Sequence, residues 1–206
     1  MHPNPAFRDQ DRTRALAAAE ARGFGILTLT GPEGVLASHV PFALGPKALG
    51  AHLVRSNPIA RLLGGGPAEA LMIVSGPDAY ISPDWYLVAD QVPTWNYVAV
   101  HIRGTLRLLP DEALLPHLEQ LSDRNEQQLL PKKPWTHDKM SDGVMERMMR
   151  QIVPVEMTIR DVDATWKLNQ NKTEDARQMA AGAVERSPIG MRQGDLAELM
   201  RTLPKG

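Results

Sequence analysis

Apolar residues recur along this chain in two rhythms, and the change from one to the other falls near residue 110. Before that point short β-type runs dominate. Residues 25–30 (GILTLT) and 35–42 (VLASHVPF) flank Gly31-Pro32-Glu33-Gly34, which predicts two strands joined by a tight turn. A third strand is expected over 48–55. Asn57 and Pro58 then supply a helix cap and a first-turn proline for a short helix over 59–63. Residues 71–75 read as a fourth strand, and 97–108 as a fifth with Val98, Val100 and Ile102 on one side. Ahead of them all, Ala- and Arg-rich residues 9–22 favour a helix that Gly23 closes.

Beyond residue 110 the apolar spacing turns helical. Leu114, Leu115, Leu118 and Leu121, followed by Leu129 and Leu130, predict a helix over 111–130. Ser141 and Asp142 offer caps for another, through Arg150, that carries Met145, Met148 and Met149. Residues 152–159 (IVPVEMTI) return to strand composition, with Pro154 pointing to an edge strand or an irregular start. From Thr173 onward the chain reads as helical and polar, broken at Ser187-Pro188 and Gly190.

Six short strands joined mostly by turns predict a mainly β fold with added helices, a small antiparallel barrel. A parallel sheet would need a crossover helix between most strands, and the first three leave no room for one. No repeat, low-complexity tract or shift in composition marks a boundary, so 1–206 is expected to be a single domain. The barrel is expected over about 24–165, with an N-terminal helix and a helical extension over 173–206.

Composition narrows the classes of function. With 23 basic and 24 acidic side chains the net charge is -1, which carries no electrostatic footprint of a nucleic-acid groove or an anionic membrane surface. The absence of Cys removes disulfides, thiolate nucleophiles and Cys-ligated metals, and fits a reducing compartment. The polar start MHPNPAFRDQDR does not support a signal peptide, and no window approaches the roughly 20 apolar residues of a membrane span. A cytoplasmic protein that makes no use of a membrane is expected.

Chemistry concentrates in three places. Residues 76–104 hold two of the four Trp and all three Tyr, around few charges. Within them VPTWNY offers Trp95 to cover a ring face and Asn96 to meet a heterocycle edge, beside Tyr97; a packed corner or dimer contact reads equally well. At 52–58, HLVRSNP sets Arg55, Ser56 and Asn57 at a strand end and helix start, where a forked donor, a hydroxyl and free amides suit a phosphate; capping alone also accounts for them. At 166–172, WKLNQNK gathers Lys167, Gln170 and Asn171 in one loop, which can clamp phosphate or ribityl-type hydroxyls or be a solvated turn. The histidines show no HxH or HExxH spacing, so no metal site is expected. GxSxG, Walker A and GxGxxG patterns are absent.

Taken in order, HVPF (39–42), HLVRSNP, GPDAYISPDWY (76–86), VPTWNYVAVH (92–101) and WKLNQNK closely resemble the PaiB-type family of FMN-binding negative transcriptional regulators, from Asn4 to Lys172. The resemblance implies a six-stranded antiparallel FMN-binding split barrel, as a homodimer with FMN at the subunit interface. It implies Arg55, Ser56 and Asn57 at the phosphate, His52 near the cofactor, Trp95, Asn96 and Tyr97 beside the flavin, and Lys167, Gln170 and Asn171 closing the site. The chain departs from the family pattern at Asn169, where Ser is usual, and at Val54-Arg55-Ser56, where Ala-Arg-Ala is more typical. A DNA or other regulatory partner rests on the resemblance alone. No helix-turn-helix signature is visible, and Lys139, Arg147 and Arg150 interleave with Asp138, Asp142 and Glu146. Two alternatives stay open: a flavin-dependent oxidoreductase, whose cofactor would carry the chemistry, and a haem-binding or haem-degrading relative with His39, His52 or His101 as axial ligand.

Overall fold

A computed structural model describes residues 1–9 and 11–203. In chain order the elements are β1 (Arg8–Asp9), α1 (Arg12–Arg22), β2 (Phe24–Gly31), β3 (Gly34–Leu44), β4 (Ala48–Val54), α2 (Pro58–Leu63), β5 (Ala68–Ile81), β6 (Thr94–Leu108), α3 (Leu114–Gln127), α4 (Val144–Met149), β7 (Ile152–Lys167), α5 (Glu174–Val184), β8 (Gly190–Met191) and α6 (Gln193–Thr202). They divide between two compact units. One comprises residues 19–73 and 102–161, the other residues 1–18, 74–101 and the chain from 162 onward.

In the first of these, six strands close into a ring of order β7-β4-β3-β2-β5-β6, sealed by a further pairing of β6 with β7. The first hairpin forms where the turn residues put it, with Gly31 opposite Gly34 and Phe24 opposite Pro41. β2 pairs antiparallel with β5, β3 with β4, and β4 with β7. Alternation then buries one side of each strand, with Leu27, Leu29, Phe42, Leu49, Leu53, Met72, Ile102, Leu106, Val155 and Met157 all withdrawn from solvent. Each such side chain stabilises the fold by about 1.5–3 kcal/mol relative to exposure. α2 and α3 cover the ring, α3 lying against β3 and β4.

Closure depends on Gly104. A Cβ there would sit 2.0 Å from the Thr158 carbonyl oxygen, so only glycine lets β6 approach β7 this closely. Pro154 lies inside β7, opposite His52 of β4, and its carbonyl accepts from Leu109 N at 2.9 Å. The expected edge strand is thus a strand paired on both sides. Proline is tolerated because it occupies a position that accepts rather than donates.

The second unit holds the far ends of β5, β6 and β7. β1 pairs with the end of β7 (Arg8 with Thr165), and β8 with β5 (Asp78 with Met191). These two-residue strands were not anticipated. Nor was the length of β5 and β7, which run on to Ile81 and Lys167. In β5 the buried alternation shifts phase between Val74 and Pro77, around Ser75 and Gly76. A Cβ on Gly76 would lie 2.8 Å from Val98 Cβ, so this glycine lets the strand continue past a close neighbour. The C-terminal helices are more than a polar tail. α5 and α6 bury Ala176, Ala180, Ala181, Val184, Leu196, Ala197 and Met200, and Arg177 donates to the carbonyls of Met200 and Arg201, satisfying acceptors at the α6 C-terminus. Residues 204–206 of that extension and Gln10 of the first predicted helix lie outside the described residues.

Candidate functional site

The ring unit carries His52, Arg55, Ser56 and Asn57. Asn57 caps α2 in extended geometry: its side-chain oxygen accepts from Ile59 N at 2.9 Å, and its amide donates to Ser38 Oγ at 3.0 Å. Both ends of that side chain are thereby engaged. Arg55 donates through Nε to the Arg150 carbonyl (3.1 Å), and through Nη2 to the Ile152 carbonyl (3.2 Å) and the Asp111 carboxylate (3.4 Å). Its Nη1 makes no hydrogen bond among the described residues and, with the exposed Ser56 hydroxyl, faces solvent. Those two groups retain the capacity to meet an anion.

His52 is half-buried on β4, and its Nδ1 lies 3.3 Å from Nε2 of His117 on α3. Gly50, two residues earlier on the same strand face, lets α3 come close: a Cβ there would stand 3.3 Å from His117 Nδ1. Burial lowers the pKa of His52. It also lowers that of His117, to about 4, with the charge of a protonated His52 adding to the effect. One ring donates and the other accepts, so both are held neutral near pH 7. The helical Leu spacing gave no sign of His117, because its partner is 65 residues away in sequence.

The other unit carries Trp95, Asn96, Tyr97, Lys167, Gln170 and Asn171. Strand alternation separates the first three. Trp95, 47% exposed, and the half-buried Tyr97 share one face of β6, while Asn96 points to the opposite side, fully buried. Trp95 meets the edge of Tyr80 at a centroid distance of 6.4 Å, and Tyr80 meets Trp85 at 6.5 Å, forming an aromatic row. Asn96 donates only to Met200 Sδ, at 3.5 Å, and its Oδ1 has no partner. That side chain anchors α6 rather than sharing the Trp95 surface.

The WKLNQNK motif is part strand, part turn, since Trp166 and Lys167 complete β7. Lys167 Nζ donates to Thr94 Oγ1 and stands 5.8 Å from the Phe7 ring; desolvation lowers its pKa. Gln170 folds back to accept from Leu168 N (2.8 Å) and donate to the Trp166 carbonyl (2.6 Å), which fixes the turn. Asn171 is exposed. Two residues absent from the expected set complete this region. Asn169, at φ +62°, accepts from the Tyr86 hydroxyl at 3.1 Å and leaves Nδ2 buried without a partner; Lys172 reaches Gln91 and lies 5.0 Å from the Tyr86 ring. The left-handed backbone at Asn169 favours Asn over most residues, a signal present in the sequence as the departure from Ser.

These side chains can be tested against a flavin nucleotide. A half-exposed indole and phenol on one strand face, with a desolvated ammonium and an orphaned amide donor in the same unit, suit an aromatic heterocycle with polar edges. A free guanidinium nitrogen beside a free hydroxyl suits a phosphate. The comparison with known families decides the matter: residues 1–161 match the family model described as "Putative FMN-binding domain". The chain belongs to this FMN-binding family, of PaiB type. It is 30% identical over 159 residues to the protease synthase and sporulation protein PAI 2 of Bacillus subtilis (strain 168), covering 75% of each chain. Among solved structures it resembles the FAD and haem binding protein from Mycobacterium smegmatis (TM-score 0.56, 16% identity, covering 78% of this chain and 73% of that one). It likewise resembles the flavocytochrome Anf3 from Azotobacter vinelandii (TM-score 0.58, 11% identity, 93% and 81%). These likenesses establish the fold: mainly antiparallel β with added helices, as expected. Family membership makes FMN the cofactor.

Proposed function

We propose that the chain is a cytoplasmic, homodimeric FMN-binding regulator of transcription whose two compact units act as a single domain. The observation that carries the reading is the family match over residues 1–161, reinforced by the PAI 2 relative. FMN, when bound, supplies one- and two-electron redox chemistry and a visible chromophore. In the ring unit Arg55 Nη1 and Ser56 suit its phosphate; in the other unit Trp95 and Tyr97 suit its ring, and Lys167 and Asn171 its polar edge. Asn57, Gln170 and Asn96 shape the surrounding backbone and the α6 anchor. Their hydrogen bonds within the chain leave them that role. His52 bears on the cofactor through its position near the strand end, held neutral by its burial.

Support for the dimer comes from apolar side chains left in solvent along the segment that leads into β6: Leu87 is 77% exposed, Val88 53% and Val92 74%, ahead of Trp95 at 47%. Such a cluster is unfavourable in water and suits a subunit contact. No helix among the described residues is long and apolar enough to cross a membrane. The reading is tested by sedimentation of the FMN-loaded protein, together with fluorescence anisotropy on DNA from upstream of its own coding region, with FMN oxidised and reduced. A dimer whose DNA affinity follows the flavin's redox state is expected. A monomer, or no sequence-dependent DNA binding in either state, refutes direct transcriptional control.

A further inference from the structure

A cleft lies in the ring unit between α3, α4, the segment joining them and the start of β7, where Ile152 lines it and accepts from Arg55. Its inner chamber, of about 360 Å³, is lined by Leu118, Trp135, Met140, Met145, Met148 and Met149 and is almost wholly apolar. Its outer chamber, of about 370 Å³, shares Leu118, Trp135 and Met145 with the inner one, so the two adjoin. The outer lining adds Glu119, Asp123 and Asp138 with His137, and neither chamber is lined by a Lys or Arg. The volumes fall in the range of small-molecule sites.

The character of each wall limits what can enter. Four methionines line the inner chamber; unbranched and polarizable, they repack around varied apolar shapes and favour aromatic contacts. Trp135, 39% exposed, stands at the junction of the chambers, where its ring face can meet a cation. At the mouth, Asp123 makes no hydrogen bond or ion pair among the described residues, while Glu119 has only His137, at 3.4 Å. Asp138 accepts from Thr136 Oγ1, which favours its ionised form. Of the nearby cations, Lys132 pairs with Glu126, while Lys139, donating to the Pro134 carbonyl at 2.9 Å, keeps its charge and with His137 favours ionised Asp138, leaving Glu119 and Asp123 to face an incoming cation. Two such carboxylates at the rim of an apolar chamber repel anions and attract positive charge.

We infer that this cleft binds a small amphipathic cation, its apolar or aromatic body among the methionines and its amine between Trp135 and the carboxylates of Glu119 and Asp123. The class is organic amines with one cationic nitrogen and a compact apolar body.

The test is isothermal titration calorimetry on the FMN-loaded protein with three matched probes: dansylcadaverine, its N-acetylated neutral form, and dansyl-aminohexanoate. The amine is expected to bind saturably and about tenfold or more tighter than the carboxylate, with the neutral probe between them. Asp123→Asn with Glu119→Gln should bring the three affinities together, and Trp135→Ala should weaken the amine most; all three positions are solvent-accessible, so the fold is retained, as circular dichroism would verify. Failure of the amine to bind, or equal affinity for amine and carboxylate, overturns the proposal. So would a change of sedimentation in Trp135→Ala without any probe, which would assign the cleft to a second copy of the chain.

Discussion

Replacing His117 by Gln separates a hydrogen bond from a titration, and the two have opposite consequences with pH. The folded ring titrates near 4 against an ordinary 6.5. Between those values the unfolded chain binds a proton that the folded chain refuses. Stability is therefore greatest above pH 6.5, declines as the pH falls from 6.5 towards 4, and levels off below that as far as this group is concerned. At 1.36 kcal/mol per unit, the full shift sets a ceiling of about 3.4 kcal/mol; solvent reaching the ring reduces this to about 1–2 kcal/mol. The variant loses the bond to His52, about 1 kcal/mol at pH 7.5, and with it His117's share of the pH-dependent loss, while buried His52 keeps its own in both proteins. Urea unfolding of both proteins at pH 7.5 and 4.5 gives the comparison, since carboxylate titrations are common to both and cancel in the difference. The wild type should lose about 1–2 kcal/mol more than the variant over that interval. Equal losses would refute the neutral histidine pair.

Three other substitutions probe the ring and the flavin residues. Gly104→Ala drives a methyl group into the Thr158 carbonyl and should lower unfolding free energy by about 3 kcal/mol or more in urea melts; a loss under about 0.5 kcal/mol would deny that β6 and β7 close the ring there. Arg55→Ala combined with Lys167→Ala should strip FMN while leaving the dimer intact by sedimentation, and unchanged flavin occupancy would remove both residues from the phosphate and the polar edge. Trp95→Ala should raise the fluorescence of bound flavin by removing an indole quencher, whereas an unaltered spectrum would make Trp95 a dimer contact only.

Legibility followed the range of the interactions. The hairpin at Gly31–Gly34 and the Asn57 cap are written in neighbouring residues, and each formed where local chemistry placed it. The expected strand over 71–75 fell short because its continuation through Gly76-Pro77 depends on a close approach to Val98, distant in sequence. Pro154 misled for a similar reason, since which β7 positions donate is set by pairing with β4 and β6. Among the site residues, the ordered motifs identified the regions, yet side-chain roles were set by partners from elsewhere. Asn96 turns to α6, Gln170 to its own turn, and His52 to a helix invisible from its strand. The Met-lined cleft was legible only as three methionines at helical spacing; Trp135 and Met140 join them through a segment with no periodic pattern.

The central claim is that this chain holds FMN, and the most direct measurement is the absorbance spectrum of freshly purified protein, followed by identification of the chromophore released on heating. The account predicts paired flavin bands in the near-ultraviolet and blue, with FMN as the released species at one per subunit. A Soret band instead would assign the fold to haem, and a colourless protein that fails to take up added FMN would contradict the account outright.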